Sequence, residues 1–99
     1  MLIGVPKEVK NHEYRVGLTP ESVAELVGIS LRVVVETNAG ACIGASDEDY
    51  KSSGAEIAEN AADVFASSGM VVKVKAPQAV DRAMLRPGQI LYTYLHLAP

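Results

Sequence analysis

The chain has 99 residues, 48% of them hydrophobic, which fits one domain or part of one with a modest core. Its nine Lys and Arg residues are scattered and the formal net charge is -3, so a nucleic acid is not an expected partner. The single cysteine excludes an internal disulfide, the start does not resemble a signal peptide, and no apolar stretch approaches the roughly 20 residues of a membrane span, so we expect a soluble, cytoplasmic protein.

Short apolar runs rich in Val, Ile, Leu and Tyr predict four β-strands. They lie at residues 2–5, 31–36, 70–75 and 89–95. The runs lack the alternation of apolar and polar residues that marks a sheet with one wet face. We therefore expect each of these strands to be covered on both faces.

Helix signals fall between the strands. Each of three helix-forming segments is preceded by a polar residue that can serve as its N-cap. These residues are Thr19, Ser46 and Asn60. Pro20 is favoured at a first helical position, and Ser46 with Asp49 resembles a capping box in which Asp replaces Glu. The three helices are predicted to end at Gly28, at Gly54 and near Ser67 before Gly69, and a short fourth helix is predicted over residues 80–85.

Strands that alternate with helices imply βαβ units. Right-handed crossovers then allow helices on both faces of the sheet. The sequence thus predicts an α/β fold, a mostly parallel Rossmann-like sheet with helices on both faces. Because the chain stops directly after the last predicted strand, we expect an incomplete domain.

Three of the predicted strands run into polar residues next to a proline, which cannot donate to a strand ladder. The first runs into Pro6-Lys7-Glu8, the third ends at Lys75-Ala76-Pro77, and the last ends at His96-Leu97-Ala98-Pro99. In an open parallel sheet these ends emerge at one edge, beyond which ligands bind. Lys75, His96 and the loop after Pro6 are therefore expected to converge.

That first loop, roughly residues 7–18, is long for a connection between a strand and a helix and contains Arg15. An arginine can bind a carboxylate through two parallel hydrogen bonds, which fixes both affinity and orientation. The alternative is an intramolecular ion pair of Arg15 with Glu8 or Glu13.

Lys75 and His96 are the other candidate site residues. Lys75, on the same side of its strand as Lys73, could hold a substrate carboxylate or polarise a keto oxygen; the alternative is a lysine that reaches solvent at the sheet edge. His96 could give and take a proton near neutral pH, or it could be structural. His12 is expected at the surface, and the spacing of the two histidines predicts no metal site.

The glycine-containing stretch at residues 38–44 follows a predicted strand but is neither G-x-G-x-x-G nor a P-loop. We interpret it as a turn whose glycines supply unusual backbone angles. No dinucleotide fingerprint occurs in the chain, so no cofactor-binding residue is predicted within it.

Three blocks carry a family resemblance: IGVPKEVKNHEYRV at residues 3–16 with Thr19-Pro20, VKVK at residues 72–75 with Pro77, and GQILYTYLHLA at residues 88–98. Together they resemble the alanine dehydrogenase and proton-translocating transhydrogenase superfamily over essentially the whole chain. The His-Leu-Ala ending favours the alanine dehydrogenase branch. Two features depart from that branch. Members of the branch usually have Glu at position 76, whereas this chain has Ala76, as transhydrogenases do. The turn at residues 28–32 also lacks the usual Gly-His pair.

The resemblance implies NAD-linked, reversible oxidative deamination of L-alanine to pyruvate and ammonia. It implies that Arg15 and Lys75 bind the substrate carboxylate and carbonyl and that His96 transfers a proton. It further implies that residues 1–99 are the N-terminal part of the substrate domain, and that an NAD-binding domain and a catalytic aspartate lie beyond residue 99.

Members of the alanine dehydrogenase branch are hexamers, and the 99 residues alone are expected to be inactive. Two alternatives stay open from the sequence. The chain could be the N-terminal domain of a transhydrogenase alpha subunit, or a non-catalytic binding or assembly module.

Overall fold

The computed structural model describes residues 2–8, 16–74 and 79–93. Within these ranges the elements are, in chain order, β1 Leu2–Val5, α1 Pro20–Gly28, β2 Arg32–Glu36, a 3-10 turn Ala41–Ile43, α2 Asp47–Ser52, β3 Glu56–Ala58, α3 Ala61–Ser67, β4 Met70–Lys73, α4 Ala79–Met84 and β5 Ile90–Thr93.

The strands form one five-stranded sheet in the order β3-β2-β1-β4-β5, and every neighbouring pair is parallel. At the carboxyl edge, Val5 of β1 lies opposite Val35 of β2, and Lys73 of β4 lies opposite Thr93 of β5. The predicted α/β fold is confirmed, with a sheet that is parallel throughout.

Helices cover both faces of this sheet, as predicted. On one face, Ile3 and Val5 of β1 share a buried cluster with Val23 of α1 and Tyr50 of α2. On the other face α3 packs closely on β1, since a Cβ added at Gly4 would meet the Val64 Cγ1 atom at 2.8 Å. Successive side chains of a strand point to opposite faces, so one strand separates the two layers.

The three predicted helix caps are confirmed. The Thr19 side chain accepts a 3.2 Å hydrogen bond from the Ser22 amide, and the Asn60 side chain accepts one of 2.9 Å from the Asp63 amide. Before α2 the capping box is reciprocal: Ser46 Oγ accepts from the Asp49 amide at 3.1 Å, and the Asp49 side chain accepts from the Ser46 amide at 2.9 Å. Each cap satisfies an amide that has no partner inside its helix.

Strand β3 was not predicted, and the prediction for β5 was wrong in part. β3 has three residues, lies at one edge of the sheet and has no buried residue, so it leaves no apolar run in the sequence. β5 was expected to be covered on both faces, but Ile90 is 46% and Tyr92 is 54% exposed. Its position at the other edge of the sheet explains this exposure.

In two of the turns, the residues with left-handed backbone angles are not all the glycines that the sequence suggests. α1 ends at Gly28 as predicted, but the left-handed residue after it is Ser30, with φ of 72°. In the turn after β2, Gly44 has φ of 76° and Asn38 has φ of 64°, whereas Gly40 has an ordinary φ of -97°.

Across the described ranges, no helix has the length and apolar character that a membrane crossing requires.

Candidate functional site

A buried ion pair joins the carboxyl ends of β1 and β4. The Lys73 Nζ atom lies 3.4 Å from Glu8 Oε1, and the two side chains are 1% and 3% exposed. The second oxygen of Glu8 accepts a 3.0 Å hydrogen bond from the Val74 amide. One carboxylate therefore balances the charge of the lysine and ties the segment after β1 to the end of β4.

This pair explains how a lysine is accommodated inside a covered strand. Removing one partner of a buried ion pair leaves the other charge unpaired, which typically costs about 3–5 kcal/mol. In the sequence Glu8 stood out only as an alternative partner for Arg15. The sequence holds only part of the signal: the charge of Lys73 within an apolar strand requires a counter-charge, and Glu8 is the first carboxylate after another predicted strand. Their pairing also depends on β1 and β4 being neighbours in the sheet.

The segment after β1 is also tied to β2. The Lys7 amide donates a 2.8 Å hydrogen bond to Oε1 of Glu36, the last residue of β2. Lys7 and Glu8 are thus held by the neighbouring strands on the two sides of β1. The chain segment that leads to Arg15 therefore begins at a fixed point of the carboxyl edge.

The residues that follow Arg15 are anchored as well. Val16 and Leu18 are buried, and Gly17 lies against β4 so closely that an added Cβ would be 2.5 Å from the Val72 carbonyl oxygen. Tyr50 of α2 donates a 2.7 Å hydrogen bond from its hydroxyl to the Leu18 carbonyl oxygen. Burial raises the pKa of Tyr50 to about 12, so this donor keeps its proton at neutral pH.

The three predicted site residues, Arg15, Lys75 and His96, lie outside the described residues, as do Ala76 and His12. Residues next to them in the chain are described. Val16 follows Arg15 and is buried, and Val74 precedes Lys75 and is buried. Thr93, three residues before His96, is paired with Lys73 in the sheet. The convergence of the three side chains stays a prediction.

The glycine-containing turn after β2 is confirmed as a turn. A Cβ at Gly40 would approach Tyr50 to 2.7 Å, so this glycine makes room for the tyrosine ring. The amides of Ala39, Ala41 and Ala45 donate to carbonyl oxygens of residues 36, 38 and 40. Because those amides bond within the turn, they are not available to bind dinucleotide phosphates. Among the described residues, no cluster of three or more His, Cys, Asp or Glu side chains forms a candidate metal site.

Comparisons with known proteins agree with this architecture. Residues 4–99 match the family described as "Alanine dehydrogenase/PNT, N-terminal domain". The alanine dehydrogenase of Halomonas elongata is 49% identical over 98 residues, which cover 99% of this chain and 26% of that protein.

Two solved structures share the fold. An L-alanine dehydrogenase matches with a TM-score of 0.92 at 48% identity, covering 97% of this chain and 26% of its own. A transhydrogenase from Sinorhizobium meliloti matches with a TM-score of 0.88 at 29% identity, covering 96% of this chain and 28% of its own. The chain thus spans about a quarter of the length of the relatives it matches. With its three sequence blocks and its parallel sheet, this chain belongs to the alanine dehydrogenase/PNT N-terminal domain family.

Proposed function

We propose that this chain is the N-terminal part of the substrate domain of an L-alanine dehydrogenase. The proposed reaction is the NAD-dependent, reversible oxidative deamination of L-alanine to pyruvate and ammonia. The observation that carries the proposal is the anchored carboxyl edge: Val16 after Arg15 and Val74 before Lys75 are both buried, and Gly17 lies against Val72 of β4. The higher identity to an L-alanine dehydrogenase, 48% against 29% for the transhydrogenase, supports the choice of reaction.

The proposed roles follow the chemistry of three side chains. The Arg15 guanidinium holds the substrate carboxylate through paired hydrogen bonds, and Lys75 places a positive charge beside the carboxylate and the carbonyl oxygen. His96 takes up and returns a proton as the amine and the carbonyl interconvert. The sequence has no dinucleotide fingerprint, and the amides of Ala39, Ala41 and Ala45 bond within their own turn, so we assign NAD to a part of the enzyme outside these residues. We expect the whole enzyme to be a cytoplasmic homohexamer.

A second candidate is the N-terminal domain of a proton-translocating transhydrogenase alpha subunit. Ala76, in the position where alanine dehydrogenases usually have Glu, favours it. The His-Leu-Ala block opposes it, because the resemblance associates that histidine with alanine dehydrogenases.

A chimera tests the proposal, with residues 1–99 replacing the matching segment of the Halomonas elongata alanine dehydrogenase. We expect L-alanine-dependent NADH formation. Arg15→Ala should raise the KM for L-alanine and pyruvate, and His96→Ala should lower kcat by roughly 10²–10⁴-fold. His12→Ala is the matched control and should leave kcat unchanged.

Two outcomes would count against this function. A folded hexameric chimera that forms no NADH with L-alanine would contradict it. Near-normal turnover of the His96→Ala variant would remove the proton-transfer role, and an unchanged KM in Arg15→Ala would remove the arginine from the carboxylate site.

A further inference from the structure

We infer that Lys73 and Glu8 are positioning residues for the substrate carboxylate, an inference that rests on the proposed function. Lys73 ends β4 two residues before Lys75, and Glu8 begins the loop that leads to Arg15. The ion pair between them therefore links the two chain segments from which the proposed carboxylate ligands extend.

The hydrogen bonding of Glu8 supports a positioning role. One oxygen faces Lys73 Nζ at 3.4 Å, and the other accepts from the Val74 amide at 3.0 Å. The second contact fixes the main chain one residue before Lys75. A carboxylate one methylene shorter would not reach both groups from the same backbone position.

Stability alone gives little reason for an ion pair at this place. Apolar residues of similar volume often replace a buried ion pair without loss, because removing two charges from water is unfavourable. The strand itself is apolar, with Val71 buried on the same face as Lys73 and Val72 buried on the other. A pair kept in such a strand is better explained by the geometry it imposes on the edge of the sheet.

The charge balance between Glu8 and Lys73 also supports a positioning role. Glu8 is a carboxylate at the edge where the proposed substrate carboxylate binds. Lys73 and the Val74 amide engage both of its oxygens, so its negative charge is balanced locally. With both of its oxygens engaged, Glu8 does not compete with the substrate carboxylate for Arg15 and Lys75.

The double variant Glu8→Gln/Lys73→Met of the chimera separates positioning from stability. It removes both charges at similar volume, so we expect it to fold with a melting temperature close to that of the unmutated chimera. The KM for pyruvate and L-alanine should rise by roughly tenfold or more, because small misplacements of binding groups have large effects. The KM for NADH should change by less than about twofold.

The control removes an exposed ion pair in the same way, with Met in place of the cation and Gln in place of the glutamate. Arg32 Nη2 lies 2.8 Å from Glu56 Oε2, the side chains are 68% and 57% exposed, and both residues begin their strands at the opposite edge of the sheet. Arg32→Met/Glu56→Gln should leave all three KM values and the melting temperature nearly unchanged.

A second variant covers the case in which the double variant does not fold. Glu8→Asp keeps both charges and should also raise the KM for pyruvate and L-alanine without changing that for NADH. If the folded variants keep the KM of the unmutated chimera, the pair is only structural and the inference is wrong. An unmutated chimera without L-alanine-dependent NADH formation would contradict the proposed function, and this inference would fall with it.

Discussion

The Tyr50 hydroxyl donates a 2.7 Å hydrogen bond to the main-chain oxygen of Leu18, which lies 32 residues earlier in the chain. Both residues are buried, at 0% and 8% exposure. The contact joins α2 to the described segment that follows Arg15, at residues 16–18. It is the counterpart of the Glu8 contact in the segment that leads to Arg15.

Tyr50→Phe should lower the free energy of unfolding by about 1–3 kcal/mol, because the buried Leu18 carbonyl oxygen loses its donor. Urea denaturation at neutral pH measures the change. Tyr92→Phe is the matched control: Tyr92 is 54% exposed, so a change below about 0.5 kcal/mol is expected. Equal losses in both variants would contradict a special role for the Tyr50 hydroxyl.

The same tyrosine predicts a response at high pH. Burial raises the pKa of Tyr50 from 10.0 to about 12, so the folded state favours the protonated phenol. Its contribution to stability is complete below pH 10 and is lost as the pH rises towards 12. Denaturation curves between these values should show a steeper fall for the parent chain than for Tyr50→Phe. Parallel falls would show that Tyr50 does not titrate with folding.

Gly4→Ala should destabilise the fold by at least about 1–3 kcal/mol. An added methyl group would overlap the Ser68 side chain and approach Val64 Cγ1 to 2.8 Å, forcing α3 away from β1. Gly28→Ala is the control, because beyond its chain neighbours and the backbone of its own helix no atom lies within 4 Å of its added Cβ at the end of α1. We expect that variant to gain up to about 1 kcal/mol. The melting temperature should fall for Gly4→Ala and rise for Gly28→Ala. Losses of equal size in the two variants would contradict the close contact of α3 with β1.

Asp47 predicts a response at low pH. The Thr37 hydroxyl and then the Asn38 amide, 2.9 Å from Oδ1, hold the pKa of Asp47 below its usual 3.8. Its contribution to stability is present above pH 3.8 and is lost as the pH falls through the lower pKa of the folded state. Asp47→Asn should make the acid loss of stability shallower in urea titrations.

Glu48→Gln is the control for Asp47. Glu48 lies in the same first helical turn, but its side chain is 81% exposed and pairs only loosely with Lys51, at 3.4 Å. Water screens such a pair, so the acid limb should stay as in the parent chain. An Asp47→Asn variant with the parent's acid limb would contradict the role of the Thr37 and Asn38 contacts.

The sequence predicted the local parts of this fold well because their signals are local. Caps such as Ser46 act within one helical turn, and buried strands such as β1 and β4 appear as apolar runs. β3 lacked such a run, since a short edge strand forms through pairing with Val34 and Val35 of β2 rather than through its own composition. The only indication of β3 in the sequence was that the predicted helices α2 and α3 follow one another with no predicted strand between them.

The site was predictable only in outline. Strand ends pointed to the carboxyl edge of the sheet, where the Glu8–Lys73 pair lies. The resemblance pointed to Arg15, Lys75 and His96, whose place and roles remain predictions. The pairing of Glu8 with Lys73 was not predicted, because it depends on which strands are neighbours. That order is a property of the folded sheet, and nothing within either segment specifies it.

The strand order also has a consequence for how the chain folds. β1 occupies the middle of the sheet and is the element through which the β3-β2 half meets the β4-β5 half. While the polypeptide is being synthesised, β2 can pair with β1 early, but the other side of β1 must wait for β4. During that interval the unpaired backbone edge of an apolar strand is open to other chains. Pairing it with β4 requires a contact between segments that are distant in the chain, which is slow. Protection of nascent chains by chaperones would therefore matter most for this one edge.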